Sequence, residues 1–263
     1  MITKENVRHI IKENRDLLID IKEKISLIQT TGNPLAHIKP LEYMKDYLNK
    51  NANVILYPSR AKGYGGLVCY RNNRFYIHIN TAQPKVYENF MWAHEFYHYY
   101  FEREKIKDHS DRTFIDNSFL DEKERRPNLF ASEILINHMV LEEKFKGIKQ
   151  EYPNEYLGKQ ILHLIPSLEV PYKAIVIKLA QDELITEDQA EEVIDFNYKE
   201  NLPFDFDQSY LKPSGVIKID KLDQLIENAR EFMNEDNINS FLESYKKNLE
   251  LVTSFRRDVS EGL

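Results

Sequence analysis

The segment His94-Glu95-Phe96-Tyr97-His98 sets two histidines four residues apart, with a glutamate directly after the first. On a helix, residues four apart lie about 40° apart around the axis, so both imidazoles can reach one metal ion. Glu95 falls on the flank of the same face. It is near enough to hydrogen-bond a water at the metal without taking a coordination site. This HExxH spacing suits zinc-assisted hydrolysis. The metal acidifies a water and polarises the scissile carbonyl, while the glutamate takes a proton and passes it to the leaving amine. His94 and His98 are therefore candidate metal ligands, and Glu95 is the candidate general base.

A catalytic zinc needs a third protein ligand. An HExxHxxGxxH arrangement is excluded, because Phe101 and Glu104 stand where its Gly and third His would be. The gluzincin solution takes a glutamate from a following helix. Glu122, Glu124 and Glu133 are all candidates, and Asn128, on the same helix face as Glu124, could orient a ligating histidine. Tyr64 and His109 are candidates for stabilising an oxyanion. His78 alternates with Ile77 and Ile79, so it faces a cleft or solvent. Cys69 has no catalytic context and reads as a strand residue, and no Gly-x-Ser-x-Gly motif competes with the metal.

The elements that must position these residues can be read coarsely. Residues 84–104 form the strongest helical candidate, with Pro84 suited to its first turn and apolar Phe90, Met91, Trp92, Ala93 and Phe101 around the motif. Strands are expected at 51–59, 67–70 and 75–80, the last two joined by the polar turn 71–73. They form a small antiparallel sheet whose edge could hold an extended substrate by main-chain pairing. A further helix is expected over 121–145, with Pro127 in its first turn and Glu124 at or just before its start. Residues 3–29 read as a helix with a heptad-like seam from Val7 to Ile28 broken by one polar entry, Asn14. That seam suits packing on its own domain or a homodimer. Residues 197–215 look like a linker or an arm wrapped on the surface, and helical segments follow near 220–234 and 237–256.

Composition narrows the function classes. The 263 residues carry a net charge of −7, which gives no global reason to coat nucleic acid or anionic lipid. A single cysteine rules out a disulfide framework within one chain. The charged N-terminus and the lack of any run of roughly 18 apolar residues predict no secretion signal and no membrane span, hence a cytoplasmic protein. Neither a P-loop nor GxGxxG occurs. Residues 161–186 have a helix-turn-helix cadence, but in the supposed recognition helix, 171–179, only Lys173 and Lys178 are basic. DNA contact needs a cluster of such residues, so no direct nucleic-acid binding is expected and packing on the core is the expected role.

The run 75–80, the HExxH helix, and then Glu124…Asn128-Leu129-Phe130-Ala131-Ser132-Glu133-Ile134-Leu135 together resemble the ImmA/IrrE metallopeptidases over about residues 50–185. The resemblance implies that Glu124 is the third zinc ligand. It also implies a protein substrate, a helix-turn-helix repressor of a mobile element or stress regulon, whose cleavage lifts repression. Three departures stand out: Phe96-Tyr97 replace a small pair, Pro127 stands where an alanine is usual, and Asn137 replaces a closing proline. The expected architecture is α+β, a zincin-like core with N- and C-terminal helical extensions. Its parts are a helical extension at 1–49, the metallopeptidase core at 50–150, a helix-turn-helix-like segment at 151–196, and a linker with a helical module at 197–263. A zinc endopeptidase is the expected function, and a non-catalytic regulator that keeps the zinc fold and binds its partner is the alternative.

Overall fold

The computed structural model describes residues 2–59, 61, 63–108, 122–203, 206–219 and 233–261. Helix α1 spans Val7–Gln29 and turns Val7, Ile10, Ile11, Asn14, Ile21 and Ile28 inward. Its apolar stripe is filled by this chain's own body. Asn14, the polar entry of the seam, donates Nδ2–H to Gln181 Oε1 at 2.9 Å. The first half of α1 enters one hydrophobic core and the second half enters another, so the helix joins the two. Helices α2 (Leu35–Ile38) and α3 (Pro40–Asn51) lead into the sheet.

The sheet contains β1 (Asn53–Tyr57), β2 (Gly66–Arg71), β3 (Arg74–Asn80) and β4 (Lys218–Ile219), in the order β2-β3-β1-β4. The β2–β3 hairpin turns on Asn72 and Asn73, both left-handed at φ 49° and 60°, which matches the twist of the flanking strands. The sheet is mixed rather than wholly antiparallel, because β1 runs parallel to β3, from Asn53 opposite Tyr76 to Tyr57 opposite Asn80. The chain re-enters the sheet as β2 at its edge. The hairpin then returns β3 inside it, in the direction of β1.

Helix α4 (Lys85–Phe101) lies on this sheet and buries Trp92, Ala93, Phe96 and Tyr97. Residues 212–215 lie along the start of α4 and the end of β3. The Lys85 N–H donates to Lys212 O and the Gly215 N–H to Thr81 O, each at 3.0 Å, and β4 then pairs antiparallel with β1. After the short α5 (Arg103–Asp108) comes α6 (Glu122–Leu135), which packs across α4. Two features of this helix differ from the sequence reading. Pro127 sits inside α6 rather than in its first turn, and the expected single helix is split at Asn137. The Asn137 side chain caps α7 (His138–Glu151) by accepting from the Met139 and Val140 N–H groups at 3.0 and 3.2 Å.

Helices α8 (Leu157–Leu162), α9 (Ile165–Leu168), α10 (Tyr172–Gln181) and α11 (Glu187–Val193) form the second core with the start of α1. Helix α10 stands where a recognition helix would. It buries Tyr172 and every residue from Ile175 to Ala180, so its apolar face belongs to the core. A further helix covers Glu235–Glu261, while residues 220–232 of the expected 220–234 helix lie outside the described residues. Among the described residues, no helix is long and apolar enough to cross a membrane.

Candidate active site

Helix α4 presents His94 and His98 one turn apart, and their Nε2 atoms lie 3.2 Å from each other. From α6, Glu124 Oε2 reaches to 2.9 Å from His94 Nε2 and 3.5 Å from His98 Nε2. One ligand atom from each of the three residues falls within 4.8 Å of the other two, a group that could hold a metal ion. The outward ring nitrogens are also engaged. His94 Nδ1–H donates to Asn128 Oδ1 at 3.0 Å, and His98 Nδ1–H donates to Glu102 Oε2 at 2.7 Å. With those Nδ1 protons turned outward, both Nε2 atoms face Glu124 Oε2, and a metal ion bound there would take the place of the protons that Glu124 accepts from them. Two imidazole nitrogens and a carboxylate oxygen form a donor set that suits a divalent cation of the zinc type, and the acceptors behind them hold the tautomers that ligation requires.

The electrostatics follow from the same contacts. Burial opposes a charge on His98, but the hydrogen bonds to Glu102 and Glu124 outweigh it and hold the imidazole up at about 10. Burial likewise opposes the Glu124 charge. The bonds from His94 and His98 prevail and keep its carboxyl below the usual range. Glu102 is lowered in the same way, chiefly by His98 working against burial. Glu95 is different. It is only 3% exposed, and burial pushes its carboxyl up, with His94 and His98 opposing. A carboxyl raised in this way binds a proton more readily than an exposed glutamate does.

Glu95 sits under the first residue of β2. A β-carbon on Gly66 would come within 2.5 Å of Glu95 Oε1, and one on Gly65 within 2.7 Å of the Met91 side chain. The glycine pair therefore lets the edge strand close onto the helix beside the carboxylate. Tyr64 turns its hydroxyl onto His78, donating to Nδ1 at 2.5 Å, while His78 Nε2–H donates to Tyr57 O at 3.1 Å. His78 is thus buried between Tyr57 and Tyr64, with ring centroids 3.8 and 5.3 Å away, and does not face solvent.

Of the other glutamates considered, Glu133 is turned away from the histidines and pairs with Lys178 Nζ at 2.7 Å, both side chains buried. His109 and the Glu122 side chain lie outside the described residues. Cys69 is half-buried on β2 with a free thiol. Glu102 is the site residue that the sequence reading missed. The signal was present, since Glu102 follows His98 by the same four residues that separate His98 from His94.

An HExxH helix against a mixed sheet, with a carboxylate from a second helix turned onto its two histidines, defines a metallopeptidase domain. Residues 52–179 match the family model of the IrrE N-terminal-like domain, Peptidase_M78, and this match supports a metallopeptidase of the ImmA/IrrE type. No curated protein and no solved structure matches the chain.

Proposed function

We propose that the chain is a cytoplasmic, gluzincin-type zinc endopeptidase that cleaves a helix-turn-helix repressor and so relieves repression. The observation that carries this reading is the convergence of His94 Nε2, His98 Nε2 and Glu124 Oε2 beside the buried Glu95. His94, His98 and Glu124 would hold zinc, which when bound polarises the scissile carbonyl and makes water a stronger acid. The Glu95 carboxylate takes the proton of the attacking water and delivers it to the leaving amine nitrogen. Asn128 and Glu102 hold the two imidazoles in the orientation that turns Nε2 inward. Strand β2 is an edge of the sheet, and its outer side suits an extended peptide laid beside Glu95. In this reading residues 50–150 carry the chemistry, and the helices at 1–49, 151–196 and 233–261 support the core or engage the substrate.

The experiment is elemental analysis of protein purified without chelator. About one zinc per chain is expected, with Glu124→Ala and His94→Ala losing it. Metal-free wild type contradicts the zinc centre, and full zinc in Glu124→Ala contradicts the choice of third ligand.

A further inference from the structure

Glu124 is the third residue of α6 as it is described from Glu122. Pro127 weakens the next turn, because it has no N–H to give to the carbonyl of residue 123. A ligand that must stay within a few tenths of an ångström of its position therefore needs support from outside the helix. The two residues after Glu124 supply it by reaching to α1. Arg125 is buried at 6% exposure, and its Nη2 lies 2.8 Å from Glu13 Oε2. Its Nε has no hydrogen-bond partner, and Glu13 is the acid whose charge opposes the burial of the guanidinium. One step along α6, Arg126 pairs with Asp20, and its charge bears on the Tyr97 hydroxyl inside the HExxH segment, lowering what burial raises. Glu13 and Asp20 are seven residues apart, two turns on one face of α1. Charged pairs therefore run from α1 to the ligand-bearing turn of α6.

We propose that Glu13 is a positioning residue for the metal centre. Through the buried Arg125 it fixes the ligand-bearing turn of α6 and with it the Glu124 carboxylate against His94 and His98. The inference rests on the metal-binding reading of those three residues. Helix α1 lies outside the matched stretch 52–179, so the centre is braced by a helix beyond the family domain. Without Glu13, the Arg125 guanidinium would be a buried charge with no counter-charge, and its side chain must move toward water. The adjoining Glu124 moves with it.

The test uses the full chain. Zinc affinity is measured by competition with a chromophoric chelator, and the visible d–d band of the cobalt(II)-substituted protein reports the coordination itself. Glu13→Gln is expected to weaken zinc binding about tenfold or more and to alter the cobalt band, with helicity retained. Glu13→Asp, which keeps the charge, is expected to recover part of the affinity. Arg15→Gln is the control, since Arg15 sits on the same helix but pairs with Glu187 Oε1 at 2.7 Å, on α11. It should change neither readout. Wild-type affinity and an unaltered cobalt band in Glu13→Gln overturn the proposal. Absence of zinc binding in wild type, or binding unaffected by Glu124→Ala, overturns the metal-centre reading instead, and the proposal with it. If Glu13→Gln does not fold, Asp20→Asn, at the half-exposed pair, is read with the same expected loss and the same contradicting result.

Discussion

Gly66, at the head of β2, faces Glu95 so closely that a β-carbon there would stand 2.5 Å from Glu95 Oε1 and 2.8 Å from its Cγ. The backbone at Gly66 is not in the left-handed region, so the need for glycine is one of space alone. The edge strand and the buried carboxylate are thereby fixed relative to each other. Gly66→Ala should push the Glu95 side chain off its position without touching a metal ligand. The expected outcome is at least a tenfold loss of peptide hydrolysis with zinc content unchanged, measured side by side on one preparation. Full activity in Gly66→Ala would show that Glu95 does not need this placement.

Asn128 and Glu102 make the second prediction. Each fixes one imidazole through its Nδ1, at 3.0 and 2.7 Å. Asn128→Ala and Glu102→Gln should each lower zinc affinity roughly 10–100-fold by chelator competition, the usual effect of losing a partner behind a ligating histidine. Unchanged affinity in both would mean that the ring orientations are set by packing alone.

The third concerns pH. Burial lowers His78 to about 4 from an ordinary 6.5, against the bond to the Tyr57 carbonyl. The unfolded chain thus binds more protons than the folded chain between those values. The stability that His78 contributes is complete above pH 6.5 and is lost as the pH falls toward 4. Between pH 7 and pH 5 this amounts to about 2 kcal/mol. Urea unfolding of metal-stripped protein at the two pH values should show that much smaller a loss for His78→Gln than for wild type. Equal losses would place the titration elsewhere.

The fourth concerns the joint between the two cores. Lys178 on α10 and Glu133 on α6 are buried together at 2.7 Å, with Asp182 as a second partner of the lysine at 2.8 Å. Removing one member of a buried pair is strongly destabilising, because the other is left charged and unpaired. Lys178→Met should lower unfolding stability by about 3 kcal/mol, and Lys178→Met with Glu133→Leu should restore most of it. A loss under 1 kcal/mol in the single variant would show that the pair is solvated in solution.

Local spacing made much of this legible. The HExxH segment needs only one helical turn to bring its histidines together, and the hairpin at 71–73 declared itself by a polar turn between apolar runs. Glu124 was singled out by resemblance rather than by geometry, since Glu122, Glu124 and Glu133 sit in one charged stretch. The structure distinguishes Glu133, which a lysine from a distant helix engages. What could not be read was non-local. The parallel pairing of β1 with β3 has no hairpin signal, and β4 arrives from more than a hundred residues away. Pro127 reads as a helix start because nothing in its own segment shows that α1 braces the turn before it. Two departures from the family pattern that looked unrelated, Tyr97 and the stretch ending in Pro127, meet in space through Arg126.

The central claim is that Glu95 is a general base at a zinc centre, and Glu95→Gln tests it most directly. The amide keeps the size and hydrogen-bonding shape but cannot take the proton. Wild type and Glu95→Gln are compared in cells carrying a candidate helix-turn-helix repressor and a reporter under its control, with the repressor followed by immunoblot and zinc measured in both purified proteins. The account predicts equal zinc, cleaved repressor and derepression with wild type, and intact repressor with Glu95→Gln, since general-base catalysis typically supplies about 10²–10⁴-fold. Full derepression by both proteins, with the repressor intact, would contradict it and leave the chain a regulator that acts by binding.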